Sequence, residues 1–241
     1  MSSLLVNSEA GAAGNVGGVN ITEALRVLNQ AGYADPALAG LETAALLQRV
    51  IDDLCSLSLL DGLTGLANAR HFRAALERET ERAARTGESC ALLMLDLDHF
   101  KTINDTYGHP AGDLVLQAVG RVLAQNLRPM DIVARYGGEE FAVVLPNSLL
   151  GYAVQVAERL RSRVALEPIQ VAPHKTLQVT LSAGVASTLP WVRPQANALI
   201  EAADRNLYEA KSHGRNRVCA EPRASAALSV EERTELFKLP G

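Results

Sequence analysis

Apolar positions change their period several times along the chain, and each change marks an element. Ile21, Ala24, Leu25 and Leu28 recur at helical spacing behind Asn20-Ile21-Thr22-Glu23. That tetrad reads as a capping box, in which an Asx side chain and a glutamate satisfy the free amides of a helix start. The helix should stop at Gly32. Asp35-Pro36 opens a second helix, with Asp at the cap and Pro at the first helical position, running to about Leu60. Along it Leu47, Val50, Leu54 and Leu57 alternate three-four-three. This stripe suits a coiled-coil seam or a face packed within its own unit, since only about two heptads are present where sustained coiled coils use three or four.

From Asp61 to Ala220 helical and strand periods alternate. Residues 69–85 read as a helix closed by Thr86-Gly87, and residues 90–96 as a nearly continuous apolar strand covered on both faces. A helical pair, 99–107 and 111–127, breaks at Gly108-His109-Pro110. Strands at 131–136 and 141–145 flank Gly137-Gly138-Glu139-Glu140, and a helix follows at 149–166. Residues 177–187 read as one strand, with Val179, Leu181, Ala183 and Val185 alternating against Gln178, Thr180 and Ser182. A helix at 195–212 and a short strand at 217–220 close the pattern. The order is βααββαβαβ. Its central hairpin forces an antiparallel pair and argues against a doubly wound parallel sheet. The expected class is α/β of the α+β kind, a split βαβ sheet with helices on one face. Residues 1–19, rich in Gly, Ala, Asn and Ser, read as a flexible leader, 20–60 as a helical segment, 61–220 as the main domain, and 221–241 as a charged tail. Within that tail 230–237 is open between a helical turn or two and a loose end.

Composition narrows the field. The 241 residues are 48% hydrophobic and 21% charged, which is globular and not disordered as a whole. Lys and Arg number 23 against 27 Asp and Glu, a net charge of -4 that argues against a nucleic-acid-coating surface. Cys55, Cys90 and Cys219 are widely spaced, with no metal-finger spacing and no disulfide framework, so a reducing cytoplasm is the expected compartment. The first residues lack the basic and apolar stretches of a secretory signal, and no window reaches the ~20 apolar residues of a membrane span.

Two places carry candidate chemistry. Asp96 and Asp98 lie two apart at a strand exit, so both should leave on the same side. A hard divalent cation fits such carboxylates, while Asp98 is equally suited to cap the helix that follows. Gly137-Gly138-Glu139-Glu140 sits between two apolar strands. Paired glycines suit a hairpin that needs positive φ, or a ligand that approaches the backbone closely. Adjacent carboxylates repel unless a cation neutralises them, although a solvated acidic turn would read the same way. A strand ending in Asp beside a hairpin presenting Glu resembles the metal platform of palm-type nucleotidyl-transfer enzymes.

Gly137-Gly138-Glu139-Glu140-Phe141 is similar to the signature of the GGDEF family, the diguanylate cyclases, in its GGEEF form. Asp61-Gly62-Leu63-Thr64-Gly65-Leu66-Ala67-Asn68-Ala69-Arg70 resembles the family's opening motif. Residues 96–105, 108–113, 182–186, 203–204, 207–211 and 214–216 resemble its later motifs, in family order. The resemblance implies a palm-like, nucleotidyl-cyclase-type mixed sheet with flanking helices, and condensation of two GTP into cyclic di-GMP with loss of two pyrophosphates. It implies a homodimer in which each 3′-oxygen attacks the other nucleotide's α-phosphate. Two Mg²⁺ per site, with Mn²⁺ as a substitute, would be held by Asp96, the Leu97 carbonyl, Glu139 and Glu140, and Glu139 would be the catalytic acid. Asn104 and Asp113 would read guanine; relatives that make mixed guanine-adenine products resemble one another in a smaller hydroxyl residue at the place of Asp113. His109 would line the nucleotide pocket, and Lys101, Lys211 and Arg215 would neutralise phosphate charge. Arg128-Pro129-Met130-Asp131 resembles the family's product-inhibition motif, with Arg135 as a third contact. No nucleic-acid partner is expected.

Residues 20–60 show no receiver or haem pattern, and are expected to form a helical dimerisation stalk feeding into the Asp61 motif. The alternative to an enzyme is a catalytically silent receptor of cyclic di-GMP or an interaction module. Such chains typically show a damaged signature, and here the signature acids are intact.

Overall fold

The computed structural model describes residues 15–16, 19–30, 43–188 and 195–220. The chain forms two compact units, Met1–Gly62 and Leu63–Gly241.

In the first unit β1 (Asn15–Val16) pairs antiparallel with β2 (Val19–Asn20). The end of the expected leader is thus a small strand pair; residues 1–14 and 17–18 lie outside the described residues, as does the tail 221–241. Two helices follow, α1 (Thr22–Gln30) and α2 (Thr43–Leu59). The expected stop at Gly32 and start at Asp35-Pro36 also fall outside the described residues. Ile21, Leu28 and Val50 are buried together, with Ala24, Leu25, Leu46, Leu47 and Leu54 packed against them. Leu47, Val50 and Leu54 of the stripe therefore pack within their own unit.

The second unit holds α3 (Ala69–Thr86), β3 (Ala91–Leu97), α4 (Phe100–Tyr107) and α5 (His109–Gln125). Next come β4 (Ile132–Arg135), β5 (Glu140–Leu145), α6 (Leu150–Leu166), β6 (Ile169–Ala172) and β7 (Lys175–Leu177). The last elements are β8 (Leu181–Ser187), α7 (Ala196–Ser212) and β9 (Val218–Cys219). Five strands make the main sheet, in the order β4-β5-β3-β8-β9. Its pairs are antiparallel except β8 with β9, which is parallel.

Helices cover both faces of this sheet, which corrects the expectation of one. The cause is visible in β3, whose every residue is buried. Leu93, Leu95 and Leu97 join a core with Val115 and Leu123 of α5 and Ala157 and Leu160 of α6. Leu92 and Met94, on the opposite side of the strand, join Phe72 and Leu76 of α3 and Leu199 and Leu207 of α7. A strand apolar on both sides needs a layer on each.

Two boundaries also differ. The single strand expected over 177–187 is only its second part, β8. Residues before it form a separate hairpin of β6 and β7, turned at His174 with φ 62°. Its strands are short and mostly exposed, too short for a period to show. The helical break expected at Gly108-His109-Pro110 is Gly108 alone, at φ 81° and ψ 161°. Pro110 sits in the first turn of α5, where its missing N–H leaves no bond unmade.

The segment before α3 is tied to the sheet edge. Ala67 bridges Ala134 in parallel fashion, donating to the Val133 carbonyl at 3.2 Å and accepting from the Arg135 N–H at 2.8 Å. The Asn68 side chain then caps α3 by accepting from the His71 N–H at 3.0 Å.

Candidate functional site

Strand register assembles the acids. Asp96, on β3, is paired across to Glu140 on β5 and to Ser182 on β8. One residue further on, the Leu97 N–H donates to the Glu139 carbonyl at 3.2 Å. The strand exit and the glycine turn are thus neighbours in the sheet. From the side, α7 adds Lys211, whose Nζ lies 2.7 Å from Asp96 Oδ2, and the Asp96 side chain is only 7% exposed.

The charges in this corner are unbalanced. Burial pushes the Asp96 carboxyl up from its ordinary value, the Lys211 hydrogen bond opposes this, and the Asp98 charge adds to it. Glu139 and Glu140 are both pushed up, first by burial and then by the Asp96 charge, with Lys211 opposing. Asp204 is raised by burial too, and its charge acts on Glu140. One ammonium thus serves several carboxylates, and such a site has affinity for further positive charge. Among the described residues no three metal-ligating side chains form a ready cluster. A divalent ion such as Mg²⁺ does not need one, because it takes one or two protein carboxylates and completes its shell with water and phosphate oxygens. The Lys211 ammonium stands on Asp96 where such a cation would bind, so the donor set fits the metal expected from the sequence.

The hairpin glycines work differently from the expectation. Neither Gly137 nor Gly138 has the positive φ seen at Gly65, Gly87, Gly108 and Gly214. At position 137 a Cβ would meet the Glu140 carboxylate, the end of a side chain that would have to turn aside. At position 138 a Cβ would meet nothing within 4 Å. The turn is held instead by Arg135, whose Nη2 and Nε donate to the Gly138 carbonyl at 2.8 and 3.2 Å. Tyr136, beside it, packs edge-on against Phe72 of α3, ring centroids 5.3 Å apart, and takes a hydrogen bond from Arg73 at 3.0 Å.

Asp98 does not cap the following helix. The residue at the α4 cap is His99, at φ 58°, with no side-chain capping bond. Asp98 is buried and accepts from the hydroxyls of Thr180 and Ser182 and from the Asn216 N–H. Arg215 is exposed in the turn after α7, and its charge acts on Asp96. Lys101 and His109 are exposed, on α4 and at the start of α5.

Asn104 and Asp113 are carried by α4 and α5. The Asn104 side chain lies directly over Gly112, leaving no room for a Cβ, and Asp113 follows it in the chain, exposed. Asn104 thus lies beside the residue that precedes Asp113 in α5.

Arg128 and Asp131 form a local unit. Asp131 Oδ2 accepts from the Arg128 N–H at 2.9 Å and from its Nε at 3.4 Å. The guanidinium also donates to Ser148 at 3.0 Å and lies 4.7 Å from the Tyr152 ring centroid. The Asp131 side chain is 1% exposed, and its Oδ1 has no hydrogen-bond partner.

Sequence reasoning missed Asp204, Gly112, Ser148 and Tyr152 as members of these clusters. Asp204 had a signal, since it lies two helical turns before Lys211 and so on the same face. Ser148 and Tyr152 had none, because only the fold brings α6 beside Arg128. Of the cysteines, Cys90 is buried and its thiol is pushed up to about 12 by burial, an inert group. No helix among the described residues is long and apolar enough to cross a membrane.

Comparison with known proteins agrees with this arrangement. The family model described as "Diguanylate cyclase, GGDEF domain" matches residues 58–217. The response regulator PleD of Caulobacter vibrioides is 41% identical over 173 residues, covering 71% of this chain and 38% of PleD. Diguanylate cyclase DgcP of Pseudomonas aeruginosa is 41% identical over 168 residues, 70% of this chain and 25% of DgcP. The crystallised GGDEF domain of DgcB from Caulobacter crescentus, in complex with c-di-GMP, superposes with a TM-score of 0.65 at 37% identity, covering 68% of this chain and 93% of that domain. The chain spans well under half the length of these curated relatives. With the acids, the glycine turn and the sheet order all in place, the chain belongs to the GGDEF domain family of diguanylate cyclases.

Proposed function

We propose that this chain is a diguanylate cyclase that condenses two GTP into cyclic di-GMP and two pyrophosphates. The observation that carries the reading is the pairing of Asp96 with Glu140 across β3 and β5, which sets the signature acids beside a buried carboxylate with which they share Lys211. In each half-reaction a 3′-oxygen forms a bond to the α-phosphorus of the other nucleotide and the bond to the pyrophosphate oxygen breaks. Two domains in a homodimer, each holding one GTP, bring these atoms together, so that proximity supplies much of the rate.

Asp96, the Leu97 carbonyl, Glu139 and Glu140 are the residues that would hold Mg²⁺, two ions per site, or Mn²⁺ in their place. When bound, the metal supplies charge neutralisation at the triphosphate and at the attacking oxygen. Glu139 takes the proton of the 3′-hydroxyl as general base. Lys211, released from Asp96, with Arg215 and Lys101, binds β- and γ-phosphate oxygens. Asn104 and Asp113 accept from the N1–H and exocyclic amine of guanine, an edge that adenine lacks, and His109 lines the pocket.

Product inhibition fits the second cluster. The Arg128 side chain is 40% exposed and offers a guanidinium for stacking on guanine, while Asp131 holds it in place through Oδ2. With Arg135 as a third contact, bound product would hold two domains in an unproductive arrangement. Product titration should show inhibition in the natural protein and at least roughly tenfold weaker inhibition in Arg128→Ala, about the loss of one charged contact; equal inhibition in both removes the site from the reading.

The test of the main reading is nucleotide chromatography after incubation of the full chain with GTP and Mg²⁺ or Mn²⁺. Cyclic di-GMP from the natural protein and none from Glu139→Gln is the expected result. Binding of cyclic di-GMP without turnover, at every protein concentration, would assign the chain to the silent receptors.

A further inference from the structure

Asp98 is a buried carboxylate, 5% exposed, that the reaction as described does not use. Both of its oxygens are engaged. Oδ1 accepts from Ser182 Oγ at 2.7 Å, and Oδ2 accepts from Thr180 Oγ1 at 2.6 Å and from the Asn216 N–H at 3.0 Å. The donors lie 82 to 118 residues away in sequence, so the cluster ties together segments that have no local reason to meet.

The segment it grips is unusual. Gly214, Arg215 and Asn216 have φ of 109°, 61° and 46°, a run of positive φ that Gly and Asn visit readily and Arg215 does not. Several bonds hold it. The Arg215 N–H donates to the Ala210 carbonyl at 3.0 Å, closing α7. Arg161 of α6 donates to Asn216 Oδ1 at 2.7 Å. Among the bonds described for these residues, the one that reaches this turn from the strand exit bearing Asp96 is made by Asp98. Beyond the turn, β9 joins the sheet through the Ala183 N–H and the Arg217 carbonyl at 2.9 Å.

We propose that Asp98 is a positioning residue for Arg215: it clamps the left-handed 214–216 turn to the exit of β3, and so sets the guanidinium at the height of the triphosphate. Asp98 touches no substrate. This rests on the reading of Arg215 as a phosphate ligand. Three donors converge on the carboxylate, whereas an amide in its place offers one acceptor oxygen instead of two and weakens the hold on the turn.

The test compares Asp98→Asn, Thr180→Val, Arg215→Ala and the double variant D98N/R215A in the full chain. Equilibrium binding of GTP and of GMP is measured with Mg²⁺, together with KM and kcat. Asp98→Asn should weaken GTP about tenfold and raise KM by the same factor, while GMP binding stays within about twofold. The double variant should bind GTP no more than about twofold more weakly than Arg215→Ala alone, because both changes remove one contact. Full additivity, or equal loss of GTP and GMP, overturns the proposal while leaving Arg215 as a phosphate ligand. If Arg215→Ala binds GTP normally, the phosphate reading itself falls, and Asp98 with it. Thr180→Val keeps the comparison decisive should Asp98→Asn not fold. It removes one bond to the same oxygen, with an expected loss of about threefold for GTP and none for GMP; unchanged GTP binding in a folded Thr180→Val would overturn the clamp.

Discussion

Gly112 sits in α5 with Asn104 over it, and a Cβ there would press on the amide and lie 3.1 Å from Phe100 Cζ. A missing side chain thus shapes the site as much as a charged one does. Two effects compete in Gly112→Ala. Helix propensity favours Ala by about 0.8–1 kcal/mol, while overfilling a packed site costs about 1–3 kcal/mol. The second should win, because the Phe100 ring, which also stands in the way, is buried. The expected result is a small drop in Tm and, since the displaced group is a proposed guanine reader, a rise in the KM for GTP of about tenfold, near 1.4 kcal/mol. An unchanged KM would detach Asn104 from guanine recognition. The acids make a second prediction for single residues. Glu139 and Glu140 bind protons more tightly in the folded chain than their ordinary value of 4.5. Between that value and the raised one the folded state holds more protons than the unfolded state, so stability falls as pH rises through this window. Glu139→Gln removes one of these charges. Without metal, its Tm should exceed that of the natural protein at about pH 7 and match it near pH 4, where the carboxyls are largely protonated in both states. Its turnover should fall at least roughly 100-fold, within the range for loss of a general base. Thermal scans across pH check the first part, and an equal Tm at neutral pH would deny the repulsion.

Among the elements, the approach of α7 to the sheet governs what reaches Asp96. Gly184 on β8 is what allows it, because a Cβ there would fall on the Ala203 carbonyl and the Leu207 N–H of α7. These are backbone atoms and cannot rotate away. The buried Asn206 amide, donating to the Val185 carbonyl at 2.7 Å, fixes the same contact. Gly184→Ala should therefore cost at least the roughly 1–3 kcal/mol typical of overpacking, measurable by denaturant melts. It should also lower turnover in molecules that remain folded, because α7 carries Lys211. A neutral substitution would mean that α7 can shift without consequence. Elements of this kind differ in how far they can be read from sequence. β3, β5 and their acids were legible, because apolar runs closed by Asp or Gly-Gly leave few other readings. A layer on each face of β3 was legible from its nearly continuous apolar run, but not that helices supply both. The β6–β7 hairpin escaped because its strands are shorter than a detectable period. Gly137 was legible as a turn residue, but it has no left-handed backbone, and a Cβ there would meet only the end of the Glu140 side chain closely. The bonding of Asp98 was hidden for another reason: its partners come from distant segments, and no local pattern encodes them.

The proposed chemistry demands two copies of the molecule, and the first unit holds a surface that could join them. The ring closes only when two nucleotide-loaded domains face each other, so initial rate per chain should rise with protein concentration until the dimer is saturated. Leu47, Val50 and Leu54 are the chain's own candidate for a seam, yet they pack with Ile21, Leu25 and Leu28 around α1. Removing residues 1–40 takes away α1 and uncovers that stripe. Exposed apolar residues at three-four spacing on a helix bury themselves against a second copy at about 25 cal/mol per Å² of apolar surface removed from water. The truncated chain should therefore sediment as a dimer at lower concentrations than the full chain, and reach its maximal rate there too. A coupled result, tighter association with higher specific activity, would make α1 a cover over the dimer seam. Tighter association with no gain in rate would place the seam away from the reaction. Unchanged sedimentation together with an unchanged rate would exclude residues 1–40 from control of the enzyme and leave pairing to the second unit alone.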